Sequence, residues 1–239
     1  MVPRGPLTLL YLDRHCAVVD KPGGLLAVPG RGPDKQDCVV TRLQQLCPWC
    51  IEQPAAHRLD MDTSGLMILG LSREGHRNLS RQFAAQQVEK MYVALLEGEL
   101  AAAGGEIRLA FRLDSENRPH QVYDPVQGKP GVTVWKKLTC LAGRTLVALW
   151  PQTGRTHQLR LHASHALGLA APIVGDRLYG HGAPGHRLCL HATELRCLHP
   201  IGGWEMRFSS QPPFIQGLDI QRITQFMASD LKKHAQDLT

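Results

Sequence analysis

The stretch HRLDMDTSG, residues 57–65, places Asp60 on a polar turn between two apolar segments. Asp62, Thr63, Ser64 and Gly65 are turn formers, and side chains of this kind bond their own backbone and so fix a loop. Taken alone, such a turn presents a solvated aspartate. The residues that follow, 66–71, form a short apolar run that reads as a buried strand. Ser72 then caps a helix expected to extend through Gln87, with Leu79 and Phe83 on its inner face. The segment is one strand-turn-helix unit entered through a loop that carries a carboxylate.

Working outward, residues 18–25 read as a strand running into a tight turn punctuated by Pro22, Gly23 and Gly24. Val39, Leu43, Leu46 and Cys47 recur at helical spacing, with Asp37 as the expected N-cap and Pro48 closing the segment. Residues 91–96, 133–135 and 146–150 are further strands. Thr156, Gln158, Arg160 and His162 alternate with Leu159 and Leu161, the pattern of a strand with one polar face. Strands with interspersed helices predict an α+β domain around a mixed sheet. That domain is expected over residues 1–213. Beyond it Ile220, Ile223, Phe226, Met227 and Leu231 fall on one stripe, so residues 214–239 read as an appended C-terminal helix.

The chain has 239 residues, enough for one well-filled core, and 43% of them are hydrophobic. Its apolar runs fall far short of a membrane span, and the N-terminus offers no secretory signal. The expected home is the cytoplasm. Seven cysteines, an odd number, argue against a disulfide framework. Cys47 and Cys50 make a C-x-x-C pair, but the helical pattern precedes them. That puts Cys47 at a helix C-terminus, where the dipole opposes a thiolate. No second ligand pair at zinc spacing accompanies them, so the pair reads as structural and no metal is expected. Between Arg108 and Arg160 nine basic residues face three acidic ones, which accounts for the whole net charge of +6. Such a segment suits a polyanion, with phosphates first, or else is a solvated basic surface.

The string from His57 to Gly65 resembles the HRLD-x-x-TSG signature of the RluA family of RNA pseudouridine synthases. The likeness continues in order along the chain. Val19, Lys21, Pro22, Gly24 and Leu25 are similar to the family's N-terminal motif, and Lys90, Tyr92 and Ala94 to the segment bearing its active-site tyrosine. Thr153, Gly154, Arg155, Thr156, His157, Gln158, Leu159, Arg160 and His162 match the motif bearing its arginine. Gly175, Asp176, Arg177, Tyr179 and Gly180, then Leu190, His191 and Ala192, complete the series. Within the family the chain most resembles the short members, which lack an N-terminal S4-type domain. Those modify uridines in large-subunit (23S) ribosomal RNA and in the tRNA anticodon stem-loop. The CPWC segment and the tail beyond Pro213 depart from the family pattern.

The resemblance implies a largely antiparallel central sheet with flanking helices and an RNA-binding cleft. It implies an isomerase that breaks the C1′–N1 bond of uridine and rejoins the base through C5, with no cofactor or co-substrate. Asp60 becomes the nucleophile, or the group that acts on the sugar as the base detaches. Arg160 becomes its cationic partner, and Tyr92 the platform under the uracil. The target must be flipped out of its stack. Arg58 is expected to fill the gap it leaves, Leu190 to wall the base, and Lys21 to lie near the cleft and bind RNA. His57 is expected to be structural. A working monomer with RNA as partner, no membrane and no obligate protein partner completes the expectation. The alternatives are a catalytically inactive RNA-binding or RNA-folding protein of the same fold, and a thiol oxidoreductase using Cys47 and Cys50.

Overall fold

The computed structural model describes residues 5–215. Ten strands and three helices follow one another in α+β order: β1 (Thr8–Leu12), β2 (Cys16–Lys21), α1 (Val39–Leu46), β3 (Ser64–Gly70), α2 (Arg73–Ala84), β4 (Glu89–Glu97), β5 (Gly104–Leu113), β6 (Gln121–Tyr123), β7 (Lys129–Leu141), β8 (Arg144–Pro151), α3 (Gln158–Ser164), β9 (Leu190–Leu198) and β10 (Glu205–Ser209). They form one sheet in the order β1-β2-β3-β9-β4-β8-β7-β5-β6, with β10 beside β9. Every strand pair is antiparallel except β3 with β9, which are parallel and joined at Ser64–His191 and Gly65–Ala192. Gly65 sits there at φ 109°, and a Cβ on it would stand 2.3 Å from the Ala192 carbonyl oxygen. Only glycine permits that approach.

The run at 66–71 is a strand, and every residue of β3 is buried. Two faces explain this. Met67 and Leu69 pack with Val19, Leu25 and the α1 residues Val39 and Leu43, while Leu66 and Ile68 pack with Val18 and Leu79 of α2. A strand covered on both sides shows a continuous apolar run rather than alternation. The other half of the sheet repeats the arrangement. Ala94, Leu96, Val147 and Leu149 pack under Leu159 and Leu161 of α3, while Met91, Val93, Leu146 and Ala148 pack with Phe214 and Ile215. Those last two are the described part of the expected C-terminal helix; residues 216–239 lie outside the described residues.

Helix boundaries follow local chemistry. Ser72 caps α2, its hydroxyl accepting from the Gly75 amide at 3.0 Å. The helix ends at Ala84 rather than Gln87, because Gln86 turns left-handed at φ 57° and the Gln87 amide returns to the Gln82 carbonyl. For α1 the expected cap is corrected. Cys38 takes the position, its sulfur accepting from the Thr41 amide, while Asp37 instead forms an ion pair with Arg42. The strand expected over 156–162 is also corrected: residues 158–164 are helix α3. All of 158–163 is buried, so no solvent-facing stripe marks the helical period; the ring nitrogens of His162 find no hydrogen-bond partner among the described residues, whereas Gln158 and Arg160 are satisfied internally. Gln158 shows how. Its amide donates to the Val132 carbonyl and the Thr133 hydroxyl, and its oxygen accepts from the Thr153 hydroxyl and the Arg155 amide.

Three histidines are packed in this core as neutral rings. His57 accepts from the Ile68 amide at 3.1 Å and stacks on Phe83. His191 bridges the Ser64 and Ser210 hydroxyls. His162, 1% exposed, lies edge-on to Phe111. Burial, aided by Lys90, lowers His57 to about 3. Burial lowers His162 and His191 to about 4. Below pH ~6.5 the unfolded chain takes up protons that these folded rings refuse. The contribution of these rings to stability is therefore complete above that pH and is lost as pH falls toward the native values, by at most about 1.4 kcal/mol per pH unit for each ring. Urea midpoints should fall steadily from pH 7 to pH 5; a midpoint flat over that range would contradict the neutral assignment.

Candidate active site

The loop at 57–63 opens onto a cleft of about 1170 Å³ that also takes in the end of α2, the start of β4, the 152–157 loop, α3 and the first residues of β9. Asp60, Tyr92, Arg160, Arg58 and Leu190 all line it, so five of the six residues singled out in the sequence come together.

Asp60 is held by its backbone. Lys21, at 0% exposure, sends its ammonium to the carbonyls of Leu25 at 2.7 Å, Met61 at 2.9 Å and Pro22 at 3.0 Å. The Gly24 amide donates to the same Met61 carbonyl at 2.8 Å. Asp62, next along, pairs with Arg177 at 2.8 Å. The reading of Lys21 as an RNA contact is thereby corrected: with no exposed surface it pins the loop from beneath. Burial pulls Lys21 down to about 7, against the charges of Asp60, Asp62 and Asp20. Three carbonyl acceptors use all three protons of the ammonium and favour the charged form. Lys21→Met takes the side-chain donor from the Pro22 and Leu25 carbonyls, at about 1–3 kcal/mol for each group left unsatisfied, while the Met61 carbonyl keeps only the Gly24 amide. The expected result is a lowered melting temperature together with a reduced turnover rate. An unchanged melting temperature would remove the clamp.

Arg160 sits on α3 at 3% exposure and faces two carboxylates. Asp176, itself 0% exposed, takes its Nε and Nη2 at 2.8 and 2.6 Å. The remaining Nη1 points at Asp60 Oδ2, 3.9 Å away. Burial pushes the Asp176 carboxyl up, but hydrogen bonds and charge from Arg160, with the Leu178 and Tyr179 amides, outweigh it and hold the group below the usual carboxylate range. The guanidinium also lies 5.3 Å from the Tyr179 ring centroid. His157 Nε2 stands 3.9 Å from the other Asp60 oxygen.

Tyr92 is half-buried on β4, where the pairing with β9 shifts register between Met91 and Tyr92, and it packs against the clusters on both halves of the sheet. Burial, and then the charge of Asp60, push its phenol up. It is thus a neutral ring offering a flat apolar face. Leu190 begins β9 beside it, paired with Ala94. Arg58 is exposed at the cleft mouth. His57 is structural, as its ring bond to β3 requires.

His157, Asp176 and Tyr179 are the site members that residue-level reading did not assign. All three lay inside quoted motifs, but only the folded chain brings them to Asp60 and Arg160. The central basic segment proves dispersed: Arg108, Arg112, Arg144 and Arg160 are paired with Glu106, Asp124, Glu97 and Asp176, and only Arg155 and Arg160 of the nine line the cleft. Lys90, Arg196 and Arg207 line it from elsewhere in the chain, Arg196 paired with Glu89 and Glu205 and Arg207 with Glu194.

Cys47 terminates α1 and is buried, and burial pushes the thiols of Cys47 and Cys50 up, away from redox or nucleophilic use. Among the described residues Asp13, Cys16 and His199 come close enough to suggest a metal. Their donor atoms are already committed. The Asp13 oxygens accept from Tyr11, His199 and the His15 and Cys16 amides, while His199 Nδ1 accepts from the Gly202 amide. Among the described residues no helix is long and apolar enough to cross a membrane.

A mixed, mostly antiparallel sheet carries a cleft that sets an aspartate against an arginine and a tyrosine, and residues 15–165 match the family described as RNA pseudouridylate synthase, whose members are isomerases. The chain belongs to that family and to its RluA type. It is similar to the dual-specificity RNA pseudouridine synthase RluA of Haemophilus influenzae, at 44% identity over 212 residues covering 87% of this chain and 94% of that protein. The Escherichia coli K12 protein of the same description is 41% identical over 217 residues, covering 89% and 96%. Among solved structures, human RNA pseudouridylate synthase domain containing 1 superposes with a TM-score of 0.73 at 30% identity, covering 92% of this chain and 90% of that one.

Proposed function

We propose that this RNA pseudouridine synthase acts on specific uridines of both large-subunit (23S) ribosomal RNA and the tRNA anticodon stem-loop. The dual description of its relatives supports this breadth, and the open cleft offers room for a flipped nucleotide and its neighbours. The observation that carries the catalytic reading is Asp60 poised between Arg160 and His157 in a cleft floored by Tyr92 and Leu190.

In this reading Arg58 enters the RNA stack as the uridine leaves it, its planar guanidinium able to stack and to pair with phosphate. The uracil lies on Tyr92 against Leu190. Asp60 acts at the sugar as the C1′–N1 bond breaks, the base turns, and C5 bonds to C1′. The C5 proton then leaves, with Tyr92 as the nearby route. Product and substrate are isomers, so the atoms balance without a co-substrate or redox partner. The protein works in the cytoplasm as a monomer without an obligate protein partner, with residues 1–213 as the catalytic domain and 214–239 as an appended helix.

Tritium release from RNA carrying [5-³H]uridine tests the proposal, with 23S rRNA and tRNA from cells lacking the enzyme offered separately. Release from both establishes dual use. Release from one alone restricts the substrate class. Binding without release from either would return the chain to the binding-only reading.

A further inference from the structure

His157 is the second group facing Asp60, and both of its ring nitrogens have neighbours. Its Nε2 stands 3.9 Å from Asp60 Oδ1, while Arg160 Nη1 stands 3.9 Å from Oδ2, so each carboxylate oxygen faces its own nitrogen group just beyond hydrogen-bond distance. The other ring nitrogen, Nδ1, lies 2.9 Å from the Tyr179 hydroxyl. That hydroxyl also accepts from the Gln121 amide at 2.7 Å. A backbone amide can only donate, so the Tyr179 hydrogen is free to go to Nδ1. When the hydroxyl donates in this way, Nδ1 accepts and the imidazole proton sits on Nε2, on the side of Asp60.

The backbone agrees. His157 is a buried residue at φ 54° and ψ 17°, left-handed for a non-glycine, at the turn that starts α3. Such a conformation persists where the surroundings impose it, and it gathers at functional sites. The Tyr179 ring stands edge-on to the imidazole, 5.6 Å between centroids at 81°. Asp60 and Asp176 favour a charge on the ring. Burial, Arg160 and His120 oppose it, and the outcome is a lowered pKa.

We propose that His157 is a positioning residue, locked as the Nε2–H tautomer by the relay from Gln121 through Tyr179, and that it orients the Asp60 carboxylate for reaction. With His157 facing one oxygen and Arg160 the other, both 3.9 Å away, the carboxylate has a partner on each side that can hold its orientation once the groups close to hydrogen-bond distance. The gaps of 3.9 Å shorten when RNA fills the cleft and expels water, as catalytic hydrogen bonds do on substrate binding. The inference rests on the reading of Asp60 as the reacting carboxylate.

Two measurements test it. Imidazole ¹⁵N NMR of the wild-type protein at neutral pH should show His157 protonated at Nε2 and bare at Nδ1, and Tyr179→Phe should release the ring into a tautomer mixture. A wild-type proton on Nδ1 would overturn the proposal, whatever the kinetics. In single-turnover assays His157→Leu should lose roughly 100-fold in rate, the scale of a misplaced reacting group, with RNA affinity little changed. His157→Gln, whose amide nitrogen reaches the Nε2 position, should recover most of that loss. Equal loss in both variants, or a loss confined to RNA affinity, would overturn it. If Asp60→Asn turned over normally, the reading of Asp60 would fail. If Asp60→Asn is dead while folded His157→Leu runs at the wild-type rate, only the role of His157 fails.

Discussion

Asp60→Asn leaves a folded protein that binds RNA within a few-fold of wild type and produces no measurable pseudouridine. The substitution is isosteric, so Lys21 and Gly24 still hold the Met61 carbonyl and the loop keeps its course. It removes one negative charge from the cleft, which does not oppose the phosphate backbone. It also removes the carboxylate on which Arg160 and His157 converge. A drop of roughly 10⁴-fold or more is expected, the scale seen when a catalytic group is deleted elsewhere. Tritium release under single-turnover conditions reads the rate, and filter binding reads the affinity. Weakened binding with unchanged turnover per bound RNA would sink the assignment.

Asp176→Ala produces the largest loss of stability together with loss of activity. Asp176 is fully buried, and its two oxygens take Arg160 and the amides of Leu178 and Tyr179. Without it the guanidinium is left buried with Asp60 as its only carboxylate, and breaking a buried pair in this way costs about 3–5 kcal/mol. Arg160 also loses the two hydrogen bonds that fix its guanidinium, so it no longer holds its place opposite Asp60. Adding Arg160→Met to Asp176→Ala removes the stranded charge. Urea unfolding should find the double variant more stable than Asp176→Ala alone, while both remain inactive. Equal stability of the two would show that Arg160 does not depend on Asp176.

What the sequence made legible was local. The carboxylate loop, the buried run after it and the Ser72 cap are each specified within a few residues, and each stands where it was expected. Arg160 was found by its string but placed on the wrong element. The alternation of Thr156, Gln158, Arg160 and His162 with leucines imitates a strand, and a helix buried on every side carries no stripe to contradict it. Lys21 was read as an RNA contact near the cleft because no sequence pattern announces three carbonyls closing over an ammonium. Asp176 and Tyr179 had no assigned role because their partners lie across the fold: Arg160 is 16 residues from Asp176, and the Gln121 amide is 58 from Tyr179. Linear charge misled in the same way, since Arg108 pairs along its own strand with Glu106, and Arg112 and Arg144 pair with Asp124 and Glu97 brought near by the sheet.

The parallel seam between β3 and β9 also sets an order of events as the chain is made. β9 lies between β3 and β4, yet Ser64 meets a residue 127 positions later in the chain. Until that residue has been synthesised, β3 and β4 each keep an open edge, the kind of edge that pairs wrongly with other chains. Contacts so distant in sequence are slow to form. Asp60 enters from the β3 side and Tyr92 stands on β4, so the two face each other only once β9 has been inserted between them. A nascent chain stalled before residue 190 would hold both residues without an active site, and catalysis would begin only with the closing of the sheet.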